Sequence, residues 1–316
     1  MSEFIGKQIE VGLSKEAVRN TAEATCSRWL KKVKADIMVR QEKIVDDSTR
    51  GRLEGGEGAR IIKTWYEGSL EGIVHADAIG YLLMNIYGAS ADSGSAGNYS
   101  HALTLAQSII HSTFTIFSHD GAVNKQKLNG GMVSKLEISA TVDDYVRFKA
   151  DVVAIGSASS ALTPSYLAEN DFIGKDITIK IADTEAGLAG ATAIKVKNAT
   201  IKIDTGLIRD HVFGSLSPDN LYNSNLDFEL SVTLNHSDKT FLDLYNAETY
   251  KYVLVDIKGS GNPELKFTLH KAQVIDWSKS GESDKLVTEE VTFKAFYNAT
   301  DSAQTKCVLV NSLATL

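Results

Sequence analysis

Two cysteines and three prolines are all that 316 residues contain. Cys26 and Cys307 lie far apart with no second thiol beside either, which argues against a disulfide framework and a thiolate metal site. No apolar run approaches the length of a membrane span. The opening MSEFIGKQIEVG has neither the charged start nor the apolar centre of a signal peptide, so the expectation is a protein made and kept in a cytoplasm. Positive charge is also short. A formal net charge of −7 argues against a protein that grips nucleic acid through phosphate contacts. It does not argue against a conduit, for which a phosphate-repelling surface is an advantage.

Chemistry is equally sparse. None of the seven histidines (His75, His101, His111, His119, His211, His236 and His270) sits in a metal-ligand spacing, and all are expected on surfaces or loops. There is no Gly-x-Ser-x-Gly elbow. The stretch from Ala89 to Asn98 resembles a phosphate loop only in composition, lacks Gly-Lys-Ser/Thr, and is read as a flexible connection. No catalytic residue, cofactor site or metal site is expected, and no feature argues for an enzyme.

What is present is alternation. Between Ile61 and Val74, Ile62, Tyr66, Leu70 and Val74 share one parity while Lys63, Glu67, Ser69 and Glu71 share the other, a strand with one buried face. Trp65 interrupts the polar parity, so that face is not simply solvated. Ile79, Leu82, Leu83 and Ile86 then follow a helical period, with Gly88 as C-cap. A second unit has the same order. Leu226 to Asn235 alternates without exception, and Ser237 or Asp238 can cap a helix carrying Phe241, Leu244 and Tyr245. The recurrence is either an internal duplication or a coincidence of common elements.

Around these units, residues 1–25 read as an irregular lead-in and Trp29 to Val45 as a strand. Leu136 to Val152 reads as a hairpin turning at Asp143-Asp144. Gly156 to Asn170 reads as a linker, and Ala193 to Ile203 as a strand with a bulge near Asn198. Leu265 to Ile275 reads as a strand, Ser278 to Lys285 as a polar loop and Val287 to Tyr297 as a closing strand. Asp46 to Arg60 has no period, several glycines and many charges, and is expected to order on contact with a partner. The class is mainly β, or β-rich α+β, with two domains expected at 1–160 and 161–316 unless the second half completes one larger domain.

The strand running into Ala76-Asp77-Ala78-Ile79-Gly80, the helix Leu82 to Gly88, Tyr99-Ser100-His101, the Leu136 to Gly156 hairpin and Val291-Thr292-Phe293-Lys294-Ala295 together resemble the tail tube proteins of long-tailed, non-contractile bacteriophages. The resemblance implies a β-sandwich or barrel flanked by a short helix. It implies rings of six such domains whose inner strands close into one barrel, and stacked rings that conduct the genome. Two units in one chain would make the ring a trimer with pseudo-six-fold symmetry; one unit would make it a hexamer. The partners implied are other copies of the chain, tape measure and tail tip or terminator proteins, and phage DNA passing through without sequence-specific binding, with no membrane. The location implied is the virion tail, after assembly in the host cytoplasm.

Candidate lumen residues are Glu67, Glu71, Asp227 and Glu229, on the polar faces of the two matched strands, and the lumen is expected to be net negative. Asp46, Asp47, Arg50, Arg52, Glu54, Glu57 and Arg60 are candidates for contacts between rings. Three alternatives remain: the inner tube of a contractile injection system, a cytoplasmic β-rich module that binds a sugar or peptide, and an enzyme of unrecognised type.

Overall fold

Period-two patterning produces strands here wherever one face can be buried. In a computed structural model, which describes residues 5–316 apart from 47–50, 52, 54, 55, 57 and 122, the first half forms β1 (Ile9–Lys15), β2 (Arg28–Trp29), β3 (Val33–Val45), β4 (Ala59–Ile73), helix α1 (Ala78–Tyr87), β5 (Gly88–Ser95), β6 (Asn98–Leu105), β7 (Phe114–Asp120), β8 (Asn124–Thr141), β9 (Arg147–Ala154) and β10 (Gly156–Ser159). The second half forms β11 (Ile177–Ala182), β12 (Ala193–Ile194), β13 (Val196–Asp204), β14 (Ile208–Asp210), β15 (Asn220–Tyr222), β16 (Asp227–Asn235), helix α2 (Thr240–Asn246), β17 (Tyr250–Lys258), β18 (Glu264–Ser280), β19 (Thr288–Ala295) and β20 (Thr305–Asn311).

One antiparallel layer runs β3-β4-β9-β8-β13-β16-β19-β18. The long strands β8 and β18 serve two layers each. Their C-terminal parts lie in this sheet. Their N-terminal parts enter a second layer, as β1-β7-β8-β10 in the first half and β11-β17-β18-β20 in the second. Each long strand carries a bulge where it changes layer, between Val133 and Lys135 in β8 and between Val274 and Asp276 in β18. An extra residue bends a strand and raises its twist, which lets one strand turn the corner between packed sheets. The four-strand orders 3-4-9-8 and 13-16-19-18 therefore recur, and so do their bulges.

The faces follow the alternation. Phe228, Leu230, Val232 and Leu234 of β16 are buried, as are Phe148, Ala150, Val152 and Ala154 of β9. Helix α1 fills the space between the layers, with Ile79, Leu82, Leu83 and Ile86 all buried. It ends at Gly88, whose φ of 79° lets the chain turn back through a left-handed cap. Asn85 on this helix donates to the Ser112 carbonyl (2.5 Å) and accepts from the Val133 amide (2.8 Å), so it satisfies the β8 backbone at its bulge. One apolar cluster extends from Val11 to Leu316 through both halves.

Some elements differ from the expectations. The lead-in contains β1, which is buried on both faces (Val11, Gly12, Leu13, Ser14) and so shows no alternation. The connection read at Ala89 to Asn98 contains β5, a strand of small polar residues that pairs, among the described residues, with β6 alone. Strand β18 continues to Ser280, into the segment read as a polar loop. The linker begins with β10, paired to β8. Strands β17 and β20 went unread. The β5–β6 hairpin has no counterpart in the second half; β6 pairs with β20 and ties the two halves of the second layer together.

A buried ion pair sits at the start of α1. Arg28, 4% exposed, lies 3.1 Å from Asp77 and 3.7 Å from Glu169. Asp77 also accepts from the Ser312 amide (3.0 Å) and hydroxyl (2.7 Å), which anchors the C-terminal segment. Burial pushes the Glu169 carboxyl above the usual range, against the pull of Arg28. Arg28→Met keeps the volume and leaves two buried carboxylates without their cation, so we expect a loss of about 3–5 kcal/mol in urea unfolding. A carboxyl with a raised folded pKa adds stability below its unfolded value and loses it as pH rises through the folded one. The deficit of Arg28→Met, measured against wild type, should therefore shrink between pH 7 and about pH 4.5.

Candidate functional site

The polar face of the eight-stranded layer gathers all four carboxylates proposed for the lumen. Glu67 and Glu71 lie on β4, and Asp227 and Glu229 on β16, with the same pleat orientation on one continuous sheet. Each has a cationic neighbour. Glu67 is 3.1 Å from Arg40 and 2.9 Å from Arg209. Glu71 is 3.1 Å from Lys149. Lys294 is shared between Asp227 (2.6 Å) and Glu229 (3.5 Å). Lys135 and Asp204 pair at 3.2 Å across the β8·β13 junction. Hydrogen bonds to Glu71 and Asp227 raise the pKa values of Lys149 and Lys294, so both stay charged through the neutral range. Beyond these pairs, Asp36, Glu137, Asp151, Asp276 and Glu290 face Lys34, Arg147 and Lys202, which leaves carboxylates in surplus.

A second feature projects from this layer. Past Ile37 on β3 and before Lys63 on β4, the paired strands leave the body as an arm. Its apolar residues are exposed on both faces: Val39 (46%), Ile44 (58%), Val45 (55%) and Ile62 (41%). The Asp46 amide donates to the Gly58 carbonyl (3.2 Å) and closes the arm's far end. Of the stretch read without a period, Ala59 and Arg60 already belong to β4, with Arg60 opposite Ile44. Of the residues proposed for contacts between rings, Asp46 and Arg60 are exposed; Asp47, Arg50, Arg52, Glu54 and Glu57 lie outside the described residues.

The arm's base is clamped by the small β14–β15 hairpin. The Thr64 amide donates to the Leu216 carbonyl (2.8 Å). The Arg209 guanidinium lies 4.4 Å over the Trp65 ring, and His211 meets that ring edge-on at 6.2 Å. This is why an indole stands among the polar residues of β4: it carries a cation on its face.

The histidines are not where they were expected. His75, His101, His111, His119 and His270 are buried. Four of the five lie against carboxylates, as in His75–Asp171 (2.6 Å) and His101–Asp92 (2.8 Å). Burial also lowers the His119 pKa. Paired partners distant in sequence leave no spacing signal, so no motif could have found them. Glu185, His270 and Asp301 come together as possible metal ligands. Asp301, however, already accepts from Tyr252 (2.7 Å), Asn298 (2.6 Å) and His270 (3.1 Å), a hydrogen-bonded knot at the base of the β19–β20 connection. Burial pushes the Cys26 thiol up to about 12, and the Cys307 thiol well above its ordinary value, so neither is a nucleophile at neutral pH.

Comparison with known proteins gives one family. The sequence profile described as phage tail tube protein matches residues 6–295. No curated protein sequence matches. Among solved structures, the SPP1 tail tube, a hybrid structure from solid-state NMR and cryo EM, is 12% identical with a TM-score of 0.30. The match covers 45% of this chain and 80% of that one.

The clamp at the arm's base is testable by itself. Arg209→Ala removes a cation–π contact and an exposed ion pair, together about 1 kcal/mol. Amide exchange at residues 64–67 should accelerate severalfold while the global melting temperature moves by no more than a few degrees.

Proposed function

Since this chain belongs to the phage tail tube protein family, a structural part of the phage tail, we propose that three copies close into a ring and that rings stack into a hollow conduit for the phage genome. The observation that carries this reading is the recurrence of four strands in one order, with a bulge at the same place, on a single continuous sheet. We read the two halves as related tube-like units, each supplying one wall segment. A wall of three such eight-stranded segments, at ~4.8 Å per strand and ~45° tilt, is roughly 50 Å across. After side chains, about 35–40 Å remains, enough for duplex DNA.

The charged face is the lumen in this reading. Its surplus of carboxylates repels phosphate, and its ion pairs keep individual lysines from binding it. The far end of the arm reaches the neighbouring ring and buries Ile44, Val45 and Ile62 there. Tape measure and terminator proteins would meet the inside and the ends of the tube, and the tail would be of the non-contractile kind.

Native mass spectrometry of single rings, with electron microscopy of the same sample, tests the proposal. The expected mass is that of three chains, and a six-chain ring would overturn the pairing of units within one chain. Deleting Ser48 to Gly58 should leave a folded subunit, by circular dichroism and melting, that no longer stacks into tubes. Normal tubes from that deletion would remove residues 48–58 from the stacking contact.

A further inference from the structure

The β8·β13 junction joins the two halves edge to edge, and the ends of the same layer carry the same two kinds of edge. Among the described residues, β3 is paired only with β4, and Asp276 to Ser280 of β18 only with β19. The registers make the equivalence exact to the residue. One row across the first half runs Ala35-Leu70-Ala150-Leu136, and the matching row across the second runs Ala199-Val232-Val291-Trp277. Counting from the two bulges gives the same correspondence: Lys135 follows one and Asp276 the other. Within the chain, Lys135 lies opposite Asp204, Leu136 opposite Ile203, Glu137 opposite Lys202 and Ser139 opposite Thr200.

We infer that the free edges of β18 and β3 pair between copies of this chain in the register of the β8·β13 junction. This rests on the ring proposed above and gives it a specific seam. Transferring the register places Asp276 opposite Arg40, Trp277 opposite Val39, Ser278 opposite Met38 and Ser280 opposite Asp36 of the next copy. Three features of the molecule support that placement. Antiparallel edges of the right hand are both unpaired. Val39, 46% exposed in one chain, meets the half-buried Trp277, where the internal junction has the buried pair Ile203 and Leu136. The charged pair is retained with its sign inverted: the internal junction has Lys135 on the β8 side and Asp204 on the β13 side, and the seam has Asp276 and Arg40.

The inversion also discriminates. If a second copy's β3 displaced β13 from β8, Arg40 would face Lys135. If β13 left to pair with another copy's β18, Asp204 would face Asp276. Like charges directly opposite on paired strands are unfavourable, so both swapped arrangements are penalised and the two correct ones are not.

Engineered cysteines test the register in assembled rings. Directly opposite residues bring Cβ atoms about 4.5–5.5 Å apart, which a disulfide can bridge, whereas diagonal neighbours two residues off are too distant. Cys307 is buried and the Cys26 thiol is pushed up to about 12, so neither native thiol competes. Met38→Cys with Ser278→Cys should form covalent species under mild oxidation, with a denaturing-gel ladder ending at three chains. Met38→Cys with Ser280→Cys, one pleat out of register, should crosslink about tenfold less. Both cysteine sites are exposed, so folding is not at risk. Rings by microscopy with no Met38–Ser278 crosslink, or a preference for Met38–Ser280, overturn the register while leaving the ring reading intact. An efficient ladder that continues past three supports the seam and overturns the three-chain ring. A chain that stays monomeric by microscopy and light scattering overturns both. As a second readout, Asp276→Arg alone should lower ring yield severalfold, and adding Arg40→Asp should restore it; failure of that rescue counts against the Asp276–Arg40 contact.

Discussion

Backbone groups buried in the charged layer need a hydrogen-bond partner, which a neighbouring strand supplies, and the architecture follows from how that requirement is met. A sheet of eight strands still has two edges. Within the chain, one potential pair of edges is consumed where β13 lies along β8 from Asn198↔Thr141 to Asp204↔Lys135. The outermost edges, on β3 and on the end of β18, have no such partner among the described residues. The bulges in β8 and β18 are part of the same solution. By bending each long strand at the corner between layers, they leave one half of it in the charged sheet and deliver the other half to the second layer, where it completes the wall of the core. Helix α1 then fills the gap, and its Asn85 amide meets the β8 backbone at the bend.

The two halves use that plan unequally. In the first, the β3–β4 connection runs on into a long arm; in the second, the corresponding β13–β16 connection is the short β14–β15 hairpin folded against the arm's base. Trp65 is the meeting point, with Arg209 over its face and His211 at its edge. In the first half, β5 and β6 form an added hairpin whose pairing with β20 crosses between halves. Strand order and register thus agree between the halves, while the contacts made once per chain differ.

What could be read from the residues divides along the same physical lines. Strands with one wet face announced themselves: β4, β9, β13 and β16 alternate, and even the irregularity near Asn198 is a register shift between Val196 and Asn198. Helix α1 and its glycine cap were legible because a helical period ended at a residue that tolerates positive φ. Strands in other environments were silent. Strand β1 is buried on both faces, and β5 is an edge of small polar residues, so neither carries a period. The four candidate carboxylates do share one face, because pleat parity survives across paired strands. Their cations could not be read, since Lys149 and Lys294 come from strands far away in sequence. The buried histidine–carboxylate pairs were hidden for the same reason.

The covalent continuity of the two halves has a kinetic consequence. In the three-chain ring proposed above, β8 and β13 belong to one polypeptide, so half of the junctions between units would form as an intramolecular step, at the high effective concentration that a tether imposes and independent of how dilute the protein is. Only the remaining junctions would depend on encounters between chains. A wall built this way has a lower concentration threshold for closing than one built from single units, and fewer incomplete intermediates that expose bare strand edges to the wrong neighbour. On the ring proposed above, joining two wall segments in one chain would shorten the time any edge stands open.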